Sequence, residues 1–192
     1  MKKLDLVNGY NKNKDFLAVE KDAYSILDKL IKNEDICKLL YFNTPDALDK
    51  ELKAEKRAEM IDLGYINIKQ VFPEDEKVKN FIMISFDNFS VTDNPLFMDY
   101  TIEISIFCHQ ENFDFKKSGK THIRDLFISH LIIEELNNSK MNGIGKLNFI
   151  GASSVILGSD TKYSGKSLVF TNYHGLSQEE ERIIDNNSDG YE

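Results

Sequence analysis

The sequence predicts an α+β fold: a mainly antiparallel β-sheet flanked by helices, with long inter-strand loops. Three observations carry this. Apolar residues recur at helical spacing through the first third of the chain. The period changes to that of strands from Gly64. A single strong helix then returns before two more strand patterns, an order that suits α+β rather than alternating βαβ units.

The elements follow in order. Met1 to Asp15 is polar and Lys/Asn-rich, without the apolar core of a signal peptide, and residues 1–21 are read as a leader. Ala23, Ile26, Leu27, Leu30 and Ile31 mark the first helix, with Asp22 placed for a cap or first-turn role. Asn33-Glu34-Asp35 interrupts it, and Ile36, Leu39 and Leu40 resume a short helix. Thr44-Pro45-Asp46 is a start signal for a solvated helix, Asp46 to Asp62, with Asp46/Lys50 and Asp49/Lys53 as i,i+4 pairs. Tyr65 to Val71 and Phe81 to Phe86 read as strands, the second apolar on nearly both faces.

Tyr100 to Cys108 alternates cleanly, with Ile102, Ile104 and Ile106 on one face. Long loops are expected at Asp87 to Asp99 and His109 to Thr121. A helix from about His122 to Asn137 carries apolar residues on more than one face, so it should be sandwiched or lie under a neighbouring subunit. Strands around Lys146 to Leu157 and Lys166 to Tyr173 complete one domain, 22–176, and residues 177–192 form an acidic tail.

The formal net charge of −8 and a pI near 5.1 argue against a general nucleic-acid binder, which needs surplus cations. No stretch approaches the ~18 apolar residues of a membrane span, so a soluble, intracellular protein without membrane contact is expected. Cys37 and Cys108 make neither a zinc framework nor a disulfide scaffold, and read as small buried hydrophobes.

Each candidate chemistry fails on its own motif. Gly165-Lys166-Ser167 resembles the end of a phosphate loop, but Asp160 stands where the first Gly is required, and a strand follows instead of a helix. Gly143-Ile144-Gly145 has Asn148 in place of the last fingerprint Gly. Asp185, Asn187, Asp189 and Gly190 open like a calcium loop whose twelfth position is absent. Asp87, Asp99 and Glu103 could be metal ligands of a nuclease-like site, but solvent-facing strand acids are the simpler reading. Among His109, His122, His130 and His174, the pair at 122 and 130 is turned about 80° apart on a helix, and His130 is expected in a core or interface. No catalytic residue, metal ligand or cofactor is therefore expected.

What remains are loop apolars. Phe89, Leu96, Phe97 and Met98 lie in the first long loop, while Phe113 and Phe115 precede Lys116 and Lys117 in the second. They either fold onto their own core or form candidate partner contacts.

An N-terminal helix ending at Ile36 to Leu40, a Phe/Ile strand, a loop with Asn94-Pro95 and the strand Ile102 to Ile106 come in order. Arg124 to Leu136, Gly143 to Leu147 and a Tyr163 to Phe170 strand follow. This succession resembles the tail terminator and tail-completion (neck) proteins of long-tailed phages. The charged segment 46–62 and the acidic tail depart from it. The resemblance implies a virion protein assembled in the host cytoplasm. It would form a homo-oligomeric ring, commonly a hexamer, that caps the tail tube and joins it to neck or connector proteins, with DNA passing through the lumen without specific binding; were that lumen lined by carboxylates, the net charge of −8 would help DNA slide through. Because the two long loops cost ordering entropy until their apolar side chains leave water, the free protein is expected to be monomeric or weakly associated. The alternatives are another neck or connector component such as a head-completion stopper, an adaptor without a ring, or a metal-dependent enzyme.

Overall fold

The computed structural model describes residues 16–68, 80–91, 98–141, 145–157 and 162–173. In these residues the chain forms helices α1 (Phe16–Lys32), α2 (Glu34–Tyr41), α3 (Ala54–Asp62) and α4 (Arg124–Leu136). The strands are β1 (Ile66–Asn67), β2 (Asn80–Val91), β3 (Met98–His109), β4 (Asp114–Lys117), β5 (Lys120–Ile123), β6 (Lys140–Met141), β7 (Gly145–Leu157) and β8 (Tyr163–Tyr173). One six-stranded sheet has the order β1-β2-β3-β8-β7-β6, and β4-β5 is a separate hairpin. Only β1 with β2 is parallel among the described pairs, so the α+β, mainly antiparallel expectation holds.

The helices cover one face of the sheet. Period-two alternation puts Ile102, Ile104 and Ile106 of β3 opposite Ile84 and Ile82 of β2 and Leu168 and Phe170 of β8, and all are buried. Ile26, Leu30, Ile36, Leu39, Leu40, Ile128, Ile132 and Leu136 come down from the helices onto this floor and close a single core. Helix α4 packs on β3 and β8 and against α1 and α2, which explains its spread of apolar residues. Its Arg124, Asp125, Ile128, Ser129, Ile132 and Leu136 are buried, Leu131 is half-buried, and Leu126 is open.

Local signals place the ends. Asn33 caps α2 by accepting the Ile36 N–H at 3.1 Å, so the Asn33-Glu34-Asp35 break is a helix start. Helix α3 ends in a Schellman motif: Tyr65 N donates to Met60 O (2.9 Å), Gly64 N donates to Ile61 O (3.0 Å), and Gly64 takes φ of 79°. The period change at Gly64 is this stop.

Several expectations are corrected. Helix α1 already runs from Phe16, inside the segment read as leader. Asp22 is no cap: it is buried within α1 and accepts the Tyr100 hydroxyl at 2.7 Å. Segment 46–62 is not one helix but a 3-10 turn, Ala47–Asp49, followed by α3. The Asp46–Lys50 pair does form, at 3.2 Å, across that turn. The strand expected from Tyr65 to Val71 is two residues long in its described part, and residues 69–71 lie outside the described residues.

Both expected long loops contain regular structure. Strand β2 continues through Asp87 to Val91, past a bulge where Asn88 adopts φ of 55° and its amide donates to Thr101 Oγ1 at 2.9 Å. Strand β3 already begins at Met98. The second segment, His109 to Thr121, is a 3-10 turn (Gln110–Asn112) and most of the β4-β5 hairpin. Its two-residue turn, Ser118-Gly119, has φ of 50° and 76°, the mirror-image geometry that matches strand twist. Helix α4 accordingly starts two residues after His122.

Candidate functional site

The residues expected at partner contacts do not form one surface. Phe115 is fully buried, with ring centroids 5.5 Å from His122 and 5.1 Å from Phe127. Phe113 is half-buried against the core. These two are corrected from loop contacts to packing residues: β4 turns Phe115 inward between the exposed Asp114 and Lys116, and Lys117 at the hairpin turn is exposed as well. Lys117 Nζ lies 4.5 Å over the Phe127 ring, and Lys116 is tied by its backbone N–H to Pro45 O at 2.6 Å. Phe89 is exposed on the β2 extension, 5.7 Å from the Tyr100 ring. Leu96 and Phe97 lie outside the described residues, and Met98 opens β3.

Among the described residues, several from the discarded motifs have structural roles, while Gly143, Asp160 and the calcium-loop residues Asp185 to Gly190 lie outside the described residues. Gly165 sits inside β8, where a Cβ would collide with the Ile106 carbonyl oxygen, so this glycine allows close approach of two strands rather than of a phosphate. Glu103 accepts from the Ser167 hydroxyl and from Ser105 Oγ at 3.4 Å. His109 is buried edge-on against Tyr163 and accepts from Glu111 N at 3.2 Å. His130 is exposed, contrary to the core expectation, beside Glu134 at 3.5 Å. His174 lies outside the described residues. Burial pushes the Cys37 thiol up to about 12 and raises Cys108 further, so neither supplies a thiolate at neutral pH. No group of three or more His, Cys, Asp or Glu that could hold a metal ion occurs among the described residues.

One functional-looking residue escapes sequence reasoning. Arg124, first in α4, is completely buried, and its guanidinium is held by backbone carbonyls. Its Nε donates to Asn112 O (2.6 Å), one terminal nitrogen to Leu39 O (2.7 Å) and Phe42 O (3.2 Å), and the other to Thr44 O (3.0 Å). The cation thus sits at the C-terminal end of α2, where helix carbonyls lack intrahelical donors and the dipole is negative. Burial lowers the Arg124 pKa from its usual value, yet arginine stays charged in proteins. Asn80 adds to the knot, donating to Leu39 O (3.4 Å) and Asn43 Oδ1 (3.0 Å) while accepting His109 N (3.3 Å). This cluster fixes the 42–46 segment and the β4-β5 hairpin against α4; it is architecture, not chemistry.

Among the described residues, an edge open to a partner runs along β7. The outer side of β7 is covered by residues 137–141 as far as Phe149, through Asn138 N to Leu147 O (2.7 Å), the β6 pairs and Phe149 N to Asn137 Oδ1 (3.0 Å). A bulge at Ile150 follows, and from Gly151 to Leu157 no further strand flanks β7 among the described residues. From Leu147 to Leu157 there is no charge and no proline. Sheet edges are ordinarily blunted by such residues, and this one is not. Ile150 is 59% exposed and Ile156 71%.

Beside this edge, Leu126, Ser129, His130, Ile133, Lys166 and Leu168 line a groove of about 380 Å³ between α4 and the β7-β8 strands. Lys166 Nζ donates there to Ser154 Oγ at 2.9 Å. Leu126, 48% exposed, forms the ridge between this groove and a second one bounded by His122 and Phe127.

A family model described as YomW matches residues 33–172, well over half of the chain. No curated protein matches it.

Proposed function

We propose that this chain, which belongs to the YomW family and is thereby a phage-associated protein, is a structural component of the virion: a tail terminator that caps the tail tube as a ring of its own copies and joins it to the neck. The observation that carries this reading is the uncharged, unblunted edge of β7 with exposed Ile150 and Ile156 beside it. An edge of this kind is an aggregation hazard in a free protein and an asset in one that assembles. Identical head-to-tail contacts close into a ring when the rotation permits, and about six copies would surround a tube.

The same reading accounts for where the charge lies. Alternation from the buried Ile84 and Ile104 turns Asp87 and Glu103 to the sheet face away from the helices. With that face towards the lumen, carboxylates repel the phosphates of passing DNA and keep it from sticking. The work done is assembly and conduction, with no bond made or broken, no cofactor and no membrane.

Deletion of the gene from the phage, followed by electron microscopy of the particles, tests the role. Tails of uncontrolled length, or tails unable to join filled heads, are expected, with complementation by the full chain restoring both. Tails of normal length beside leaking heads would assign the protein to a head-side neck position instead, and wild-type particles would reject a virion role.

A further inference from the structure

We infer that copies join laterally through their sheet edges: the β7 edge of one copy, Gly151 to Leu157, pairs antiparallel with the β2 edge of the next, Ile84 to Val91. This deepens the assembly reading by naming the surface and its partner, a second copy of this chain, and it rests on that reading for the closed ring.

Strand direction is the first argument. Along the order β2-β3-β8-β7 every neighbouring pair is antiparallel, so β2 and β7, at the two ends of this run, point in opposite directions. Rotation about an axis along the strands preserves direction. The β2 strand of the next copy therefore arrives antiparallel to β7 and continues the ladder without a change of pattern. A run with an odd number of strands would bring the two edges together parallel.

Length and side chains agree with this. Beyond Met83, the last β2 residue paired with the described part of β1, β2 runs eight residues with no other flanking strand among the described residues, against the seven open residues of β7, and Asp87, Asn88 and Phe89 in this run are exposed. The β7 run carries Gly151, Ala152, Ser153 and Ser154, small enough for close approach, and the β2 run carries one charge, Asp87. No like charges oppose each other in any register of these two runs.

The exposed apolar side chains supply the third argument. Leu126 and Ile156 flank the β7 edge, on the helix side of the sheet. Ile61 and Leu63, at the end of α3 where it leads into β1, are exposed at the opposite edge. Edge pairing carries the α3 end of one copy towards the α4 shoulder of its neighbour and removes both sets from water together. A two-fold pairing of β7 with β7 would leave Ile61 and Leu63 exposed.

Cysteine cross-linking in purified particles and in concentrated full-length protein tests the pairing. Ser85 and Ser153 lie on the face away from the helices, and the native Cys37 and Cys108 are buried. A chain carrying both Ser153→Cys and Ser85→Cys, or Ser153→Cys and Asp87→Cys, should oxidise to a ladder of multimers, while each single variant stays monomeric. Dimers from Ser153→Cys alone, or no ladder from either double variant, would overturn the inference. Ile156→Lys is the second test, since that side chain is already mostly in water: it should melt like the parent and lose self-association at least tenfold. Normal association of this variant also overturns the inference. A ladder in a phage whose deletion leaves tails and joining intact would keep the interface and discard the tail role. Defective tails without a ladder would do the reverse.

Discussion

Replacing Arg124 by Met removes the guanidinium while keeping an apolar stem of similar reach. Four carbonyls lose a donor: Asn112, Leu39, Phe42 and Thr44. Leu39 O keeps the Asn80 amide at 3.4 Å, so the other three bear most of the loss. Each stranded buried acceptor costs about 1–3 kcal/mol, and the relief from no longer burying a cation offsets part of this. The expected loss is about 4 kcal/mol, or about 10 °C in Tm for a chain of this size. Urea unfolding followed by circular dichroism measures it.

Arg124→Lys should lose about half as much, because one ammonium reaches one or two of the four carbonyls. Hydrogen exchange adds a local readout: the amides of Lys116 and Arg124, bonded to Pro45 O and Phe113 O, should lose protection first in both variants. An Arg124→Met protein within about 1 kcal/mol of the parent would refute the claim that this cation organises the 42–46 segment and the hairpin.

Three further outcomes follow from the same geometry. Burial raises the Asp125 carboxyl from its usual value, so between the unfolded and folded pKa values the folded chain binds more of the proton, and stability falls as pH rises through that window. Asp125→Asn should therefore unfold at higher urea than the parent near pH 7, with the difference vanishing below the unfolded pKa of about 3.9; no gain near pH 7 would contradict the assignment. Gly119 has φ of 76° with open space where a Cβ would stand, so Gly119→Ala meets strain without a clash and should cost about 1 kcal/mol in urea unfolding, against no change if the turn relaxes freely. Ile132→Ala, at a fully buried α4 position, should cost about 3 kcal/mol, and a loss under about 1 kcal/mol would mean that α4 is not packed on both sides.

The elements with strong periodicity are legible in the sequence: α2, the alternation of β3, α4 and β8 all lie where apolar spacing puts them. The misses have two causes: partners distant in sequence, and local signals that fit more than one structure. Asp22 resembles a cap because nothing local reveals Tyr100, 78 positions away. Segment 46–62 resembles a helix in its charges, but Lys50 closes on Asp46 and Thr44, which suits a tight turn equally well. In 109–121 a usable signal is present: Ser-Gly between two lysines, flanked by residues that alternate, is a hairpin mark. For Arg124 a compositional hint exists, since the chain has 21 Lys and only 3 Arg, and a rare planar donor inside an apolar helix points to a geometry lysine cannot serve.

The distribution of charge separates the interior problem from the assembly problem. A chain that is 29% charged still leaves Leu147 to Leu157 without a single charge. Packing does not demand this, because Ala152, Ser153, Ser154 and Ile156 are exposed and could each be lysine at little cost to the fold. Arg124, by contrast, is charged where packing alone would favour an apolar residue, and its four carbonyl partners explain why. The apolar surface of β7 has no such explanation within one copy of the chain. On the lateral pairing proposed above, its account is a second strand laid along it, and the strand of fitting length, direction and charge that this sequence provides is β2 of a second copy.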